Sequence, residues 1–151
     1  MSTPTNPLAL TLWQPWATLI ADGQKRFETR SWSTAYRGPI LVHAGARADY
    51  EHAGILWIEG VMKTDPVDMP SRAVVAVADL TDVYRTNSLD TEALGITDLE
   101  QSVGDFGLGR YAWALENVRP LAKPVKCKGK MGLWLPEAVV LEAVAGQVGA
   151  L

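Results

Sequence analysis

The sequence predicts a mostly-β α+β domain, a small antiparallel β-barrel with flanking helices. Two observations carry that expectation. Short strand-like runs outnumber helical ones, and no regular crossover helices separate them, which argues against a doubly wound parallel sheet. The 151 residues are 48% apolar and 21% charged, which suits an ordinary globular chain with one core and no need for staples.

The elements follow in order. PLALTLW (7–13) is apolar with a β-branched residue and reads as a first strand. QPWATLIADG (14–23) reads as a short helix. Pro15 fits its first turn, Trp16, Leu19 and Ile20 form a buried stripe, and Gly23 closes it. KRFETRSW (25–32) reads as a strand with alternating faces, STAYRGPI (33–40) as a turn and ILVHAGA (40–46) as a short strand. RADYEHAGILWIEGVMK (47–63) reads as a helix and DPVDMPSR (65–72) as a connector. AVVAVADLTDVYR (73–85) gives the clearest strand signal, being long and valine-rich. The acidic segment 85–109 has helical hints and several glycines and is expected to be a flap or lid. RYAWALENV (110–118) is a strand, residues 119–136 read as strand, turn, strand, and EAVVLEAVAGQ (137–147) as a helix. The expected organisation is a flexible N-terminus (1–7), one domain (8–136) and a C-terminal helix packed on it (137–151).

Charge and composition exclude several classes. The net charge of −3 argues against non-specific DNA packaging. The charges are uneven, however. Residues 79–105 hold seven acidic and one basic residue, whereas residues 106–134 hold six basic and one acidic. A weakly acidic chain can therefore carry a local basic face. The single Cys127 cannot form an intrachain disulfide, which favours a reducing, cytoplasmic location. No signal peptide and no membrane-spanning apolar run are apparent. There is no P-loop, GxGxxG or GxSxG motif. His43 and His52 are nine residues apart and far from Cys127, so no structural zinc site is expected. No cofactor is expected, apart from a divalent metal if the chain is a nuclease.

GQKRFETRSW (23–32) concentrates Lys25, Arg26, Glu28 and Arg30 beside Phe27 and Trp32. Alternation places Lys25, Phe27 and Thr29 on one face and Arg26, Glu28, Arg30 and Trp32 on the other. Gln14 and Trp16 stand at the start of the neighbouring helix. Together these residues supply aromatic planes, an amide, a carboxylate and cations, the groups that stack bases, bond their edges and pair phosphates. The plain alternative is a surface ion pair with both tryptophans in the core.

These residues carry a family resemblance. Gly23, Lys25, Glu28 and Arg30 form G-x-K-x-x-E-x-R, flanked by Gln14-Pro15-Trp16, Ser31-Trp32, Tyr36-Arg37-Gly38 and His43-Ala44. In this order they resemble the ASCH domain family of the PUA-like superfamily, over most of residues 8–135. The resemblance implies a PUA-like β-barrel whose cleft is lined by the motif. It also implies RNA binding, with some relatives reading modified bases. Within the family, activities range from nucleic-acid binding to cleavage of single-stranded RNA and hydrolysis of N4-acetylcytidine. That last activity uses a motif lysine and threonine with a distant glutamate. Here the threonine position is Glu28, and a carboxylate does not replace a lysine-activated hydroxyl.

The leading expectation is an RNA-binding module for single-stranded or modified bases, with DNA as a further partner and no membrane. Its binding residues are Gln14, Trp16, Arg30, Ser31, Trp32, Arg37, His43 and Tyr111. Lys123, Lys126, Lys128 and Lys130 track the backbone. The residues do not decide whether turnover occurs. If it does, a ribonuclease using Lys25 and Glu28 comes ahead of a nucleoside amidohydrolase. A protein-interaction domain using the apolar C-terminal segment is the remaining alternative. Oligomeric state is not readable.

Overall fold

The computed structural model describes residues 6–151. The flexible N-terminus expected over 1–7 lies, up to residue 5, outside them. Six strands are described: β1 (Leu8–Gln14), β2 (Phe27–Arg30), β3 (Gly38–Ala48), β4 (Ala73–Arg85), β5 (Tyr111–Lys126) and β6 (Leu133–Trp134). The helices are α1 (Trp16–Ala21), α2 (Tyr50–Ile58), α3 (Asp98–Ser102) and α4 (Ala138–Val148). The strands form one sheet in the order β2-β5-β4-β3-β1-β6. Every pairing is antiparallel except that of β1 with β3.

The mostly-β α+β fold holds, but the sheet stays open, with no pairing between its edges. Those edges, β2 and β6, are four and two residues long. Strands this short offer little for another strand to pair with.

Two cores lie on opposite faces, and the period-two alternation of the central strands sorts residues between them. Leu10, Leu12, Ile40, Val42, Ala76, Ala78 and Leu80 pack with Trp113 against Ala17 and Ile20 of α1. Their neighbours Ala9, Leu41 and Val77 pack with Val74 and Trp134 against Val140 and Val144 of α4. Covering both faces explains why the central strands are almost continuously apolar. Each buried valine or leucine contributes about 1.5–3 kcal/mol.

Several elements differ from the sequence expectation. β2 begins at Phe27, so Lys25 is not in a strand. α2 stops at Ile58, because the Val61 and Met62 N–H groups both turn back to the Leu56 carbonyl and bury Met62. The strands expected either side of residue 118 are one strand, β5, with Pro124 inside a bulge against β4 and Pro120 at its edge, opposite Ala76, where a missing N–H is tolerated. Residues 85–109 are a packed segment and not an open flap. Ile96 buries against Phe27, Ala112 and Ala114, Val103 against Leu19, Ala53, Leu56 and Met62. The Thr97 side chain caps α3 by accepting from the Glu100 N–H.

Candidate functional site

A cleft of about 650 Å³ opens at one end of the sheet. β1 supplies Thr11 and Trp13, α1 supplies Trp16, and β2 supplies Glu28, Thr29 and Arg30, followed by Ser31 and Trp32. Asp49 comes from the turn before α2, Asp105 and Arg110 from the segment before β5, and Lys130, Met131 and Gly132 from the loop before β6.

The charges on β2 are held in one arrangement. Arg30 donates from Nε to Glu28 Oε2 at 3.1 Å and from Nη2 to the Thr11 carbonyl at 3.0 Å. Its Nη2 also lies 3.0 Å from Glu28 Oε2. The guanidinium is therefore oriented before any ligand arrives, which lowers the ordering cost of binding. Glu28 Oε1 accepts from the Thr29 N–H and lies 3.7 Å from Lys25 Nζ. Lys25 is fully buried and donates to the Phe27 carbonyl. Burial pushes its ammonium below the usual lysine pKa, and the charges of Glu28 and Glu100 pull it partly back. Glu100, also buried, accepts from the Arg26 N–H at 2.7 Å. Burial raises its carboxyl above the usual range, against the opposing pull of that bond and of Lys25 and Arg26. The Glu100 carboxylate thereby ties α3 to the residues that lead into β2.

A second clamp closes the other wall. Arg110 donates to the carbonyls of Asp105 (3.0 Å) and Thr29 (3.2 Å) and pairs with the Asp105 carboxylate at 3.4 Å. Thr29 Oγ1 accepts from the Asp105 N–H. Aromatic faces complete the site. Trp32 meets Trp113 edge-on at 4.8 Å, and Trp113 donates to the Trp32 carbonyl. Trp16 is tilted against His52 at 5.1 Å.

The structure thus brings Trp16, Glu28, Arg30, Ser31, Trp32 and Lys130 together around the cleft, with Lys25 sealed behind Glu28. Other expected site residues lie elsewhere. The Gln14 amide is engaged at both ends, accepting from the Thr18 N–H and donating to the Pro70 carbonyl, so it caps α1 and is not free to read a base. Arg37 donates to the Thr34 and Tyr36 carbonyls of its own turn and pairs with Asp82 at 3.6 Å, away from the cleft. His43 is fully buried. Its Nε2 donates to the Cys127 carbonyl, so Nδ1 is the acceptor for the Thr11 hydroxyl, which in turn accepts from Trp134 Nε1. Burial lowers the His43 pKa, and the bond to Cys127 partly offsets this. Tyr111 packs at the edge of the α1-side core. Lys126 donates to the Ser71 carbonyl, and Lys123 and Lys128 are exposed outside the cleft lining.

Thr11, Trp13, Asp49, Asp105, Arg110 and Met131 line the cleft without having been singled out from sequence. So does Thr29, which alternation assigns to the face opposite Glu28. Among the described residues no group of three His, Cys, Asp or Glu side chains is placed to hold a metal.

Comparison with known proteins decides the family. The ASCH domain model matches residues 10–124. The chain belongs to the ASCH domain family. The ASCH chain is 34% identical over 131 residues to Activating signal cointegrator 1 of Homo sapiens and 26% identical to that of Mus musculus. The match covers 83% of the chain but only 21% of each relative. The crystal structure of ASCH from Zymomonas mobilis superposes with a TM-score of 0.58 at 15% identity, covering 93% of this chain and 94% of that one. Two mutant forms of the same protein superpose at 0.58 and 0.59, with 17% and 16% identity. At these identities the likeness is one of fold, the ASCH/PUA-like arrangement of a mostly antiparallel sheet with helices. No helix among the described residues is long and apolar enough to cross a membrane.

Proposed function

We propose that this ASCH domain binds RNA through single-stranded or modified bases held in the cleft. The observation that carries the reading is Arg30, pre-oriented by Glu28 and the Thr11 carbonyl, beside Trp16 and Trp32 in a cavity of nucleotide size. Stacking on the indoles supports about 1–3 kcal/mol per base and tolerates any base. Arg30, Arg110 and Lys130 attract phosphate. Glu28, Asp49 and Asp105 disfavour a purely anionic ligand and suit the donor edges of bases.

The test mixes the protein with end-labelled single-stranded RNA, tRNA, duplex RNA and single-stranded DNA, with and without EDTA. Anisotropy reads binding, and a denaturing gel of the same tubes reads cleavage. The expected result is salt-sensitive binding to single-stranded RNA with the RNA intact, weakened about tenfold to a hundredfold by Arg30→Ala, as for a lost charged hydrogen bond. Unchanged affinity in that variant would refute the assignment.

A second reading, cleavage of RNA in the same cleft, is favoured by one observation: a fully buried lysine of lowered pKa directly behind the cleft carboxylate. Glu28 would take the proton of the attacking 2′-hydroxyl, whose oxygen bonds phosphorus to give a 2′,3′-cyclic phosphate as the bond to the 5′-oxygen breaks and that oxygen takes a proton from water, and Arg30 would stabilise the charge that develops on phosphate. Products that disappear in Glu28→Gln would select this reading.

A further inference from the structure

Trp13 is the one exposed residue of β1, with 53% of its surface open. A lone surface tryptophan needs no explanation, but this one is set in place. Between the pairs Leu12–Ala44 and Gln14–Ala48, the single residue Trp13 stands opposite Gly45, Ala46 and Arg47. This bulge is built into the sequence, since a Cβ on Gly45 would come within 2.9 Å of Thr11 Cγ2. Bulges beside functional sites re-aim side chains. Here the result is that the Arg47 guanidinium lies 5.5 Å from the centre of the Trp13 ring, while Trp13 itself lines the cleft mouth. Arg47 is exposed, and among the described residues it forms no ion pair. An indole with an unpaired cation beside it, next to a second indole already in the cleft, offers one plane for a base and one charge for its phosphate.

We propose that Trp13 and Arg47 form a second nucleotide subsite at the cleft mouth. The ligand is then an oligomer of at least two unpaired nucleotides and not a free nucleoside. One base enters between Trp16 and Trp32, and its neighbour stacks on Trp13 with the linking phosphate toward Arg47 and Lys130. The inference rests on the reading of the cleft as an RNA site and narrows its substrate class.

The test measures the affinity of an end-labelled single-stranded RNA octamer by anisotropy, and displacement of that octamer by a nucleoside 5′-monophosphate. The proteins are the parent, Trp13→Ala, Trp13→Phe and Arg47→Ala. Trp13 is largely exposed, and thermal melts of the variants check that they fold. The expected result is a loss of about 5-fold to 150-fold for the octamer in Trp13→Ala, the range of one base–aromatic stack. Trp13→Phe retains most of the affinity, Arg47→Ala weakens the octamer, and the monophosphate's own affinity is unchanged in all three. An octamer bound equally by parent, Trp13→Ala and Arg47→Ala would overturn the subsite and leave the cleft reading intact. Equal losses for octamer and monophosphate would also overturn it, by assigning Trp13 to the inner position. Failure of the parent to bind the octamer at all would overturn the cleft reading and the subsite together.

Discussion

Glu28→Gln is the substitution whose cost the structure defines most sharply. The change keeps shape and removes one charge. It leaves Lys25, which is fully buried, without the carboxylate that lies 3.7 Å away. Breaking a buried pair by removing one partner costs about 3–5 kcal/mol. The lower end applies here, because Lys25 keeps its bond to the Phe27 carbonyl and the more distant charge of Glu100. There is also a ceiling. At pH 7 the part of the penalty that falls on Lys25 cannot exceed that of stripping the proton from an ordinary lysine of pKa 10.5, about 4.8 kcal/mol at 1.36 kcal/mol per unit. The expected destabilisation is therefore about 3 kcal/mol, or about 6–12 °C in Tm for a chain of this size. Lys25→Met costs less, since Glu28 keeps Arg30 at 3.0 Å, and adding Lys25→Met to Glu28→Gln recovers part of the loss. The pH dependence has a definite sign. The folded-state pKa of Lys25 lies below its unfolded value and falls further in the variant. The variant's folded state then binds fewer protons than the parent's, so the deficit shrinks as pH rises up to the parent's own folded-state value, which lies below 10.5. Urea titrations of the parent, both single variants and the double variant at several pH values read all of this. A Glu28→Gln protein as stable as the parent, or a deficit that grows with pH, would refute the pairing.

Three further outcomes follow from the same geometry. His43 has a depressed folded pKa, so it contributes stability that is present above 6.5 and lost as pH falls through the folded value. With only two histidines in the chain, an NMR titration resolves it, and a pKa at or above 6.5 for the buried ring would contradict the lowering by burial. Gly129→Ala would place a Cβ 2.6 Å from Thr11 Oγ1 and 2.8 Å from the His43 ring. Overpacking of this kind costs about 1–3 kcal/mol, and an unchanged urea midpoint would count against the network. Lys130→Ala, at an exposed cleft position, should flatten the plot of log affinity against log salt by about 0.7 for single-stranded RNA, the value for one phosphate contact. An unchanged slope places Lys130 outside the phosphate path.

Much of the fold was legible because local pattern and tertiary role agree. The valine-rich run 73–85 is β4 to the residue, since its first half, 73–78, is buried on both faces and needs continuous apolar side chains. The site was legible in its centre and misread at its margins. Glu28, Arg30 and Trp32 stand together at the cleft as expected, but Thr29 and Ser31 line it too, because β2 ends at Arg30 and strict alternation ends with it. Lys25 does not follow alternation, because β2 starts two residues later and the lysine turns inward to the Phe27 carbonyl. Gln14 and His43 looked like free polar groups, yet both are fully bonded: Gln14 to the nearby Thr18 N–H and the distant Pro70 carbonyl, His43 to Thr11 and Cys127, and no local pattern reveals the long-range partners. Arg110 stood at the start of what reads as an ordinary strand, and Asp105 was hidden in a segment that glycines made look mobile. Ile96 and Val103 pin that segment to the core, and their apolar character was the signal available. Trp13 reads in the sequence as one more residue of a strand, because the bulge that turns it outward is formed by residues of β3, more than thirty positions away.

The central claim is that RNA occupies this cleft, and photocross-linking tests it most directly. Single-stranded RNA carrying 4-thiouridine is irradiated with the protein, and the adducts are mapped by mass spectrometry. The structure predicts adducts on the segment holding Trp13 and Trp16 and on the segment holding Arg30, Ser31 and Trp32, lost together in Arg30→Ala. Adducts confined to the exposed lysines 123–128, with the cleft segments unmodified, would contradict it.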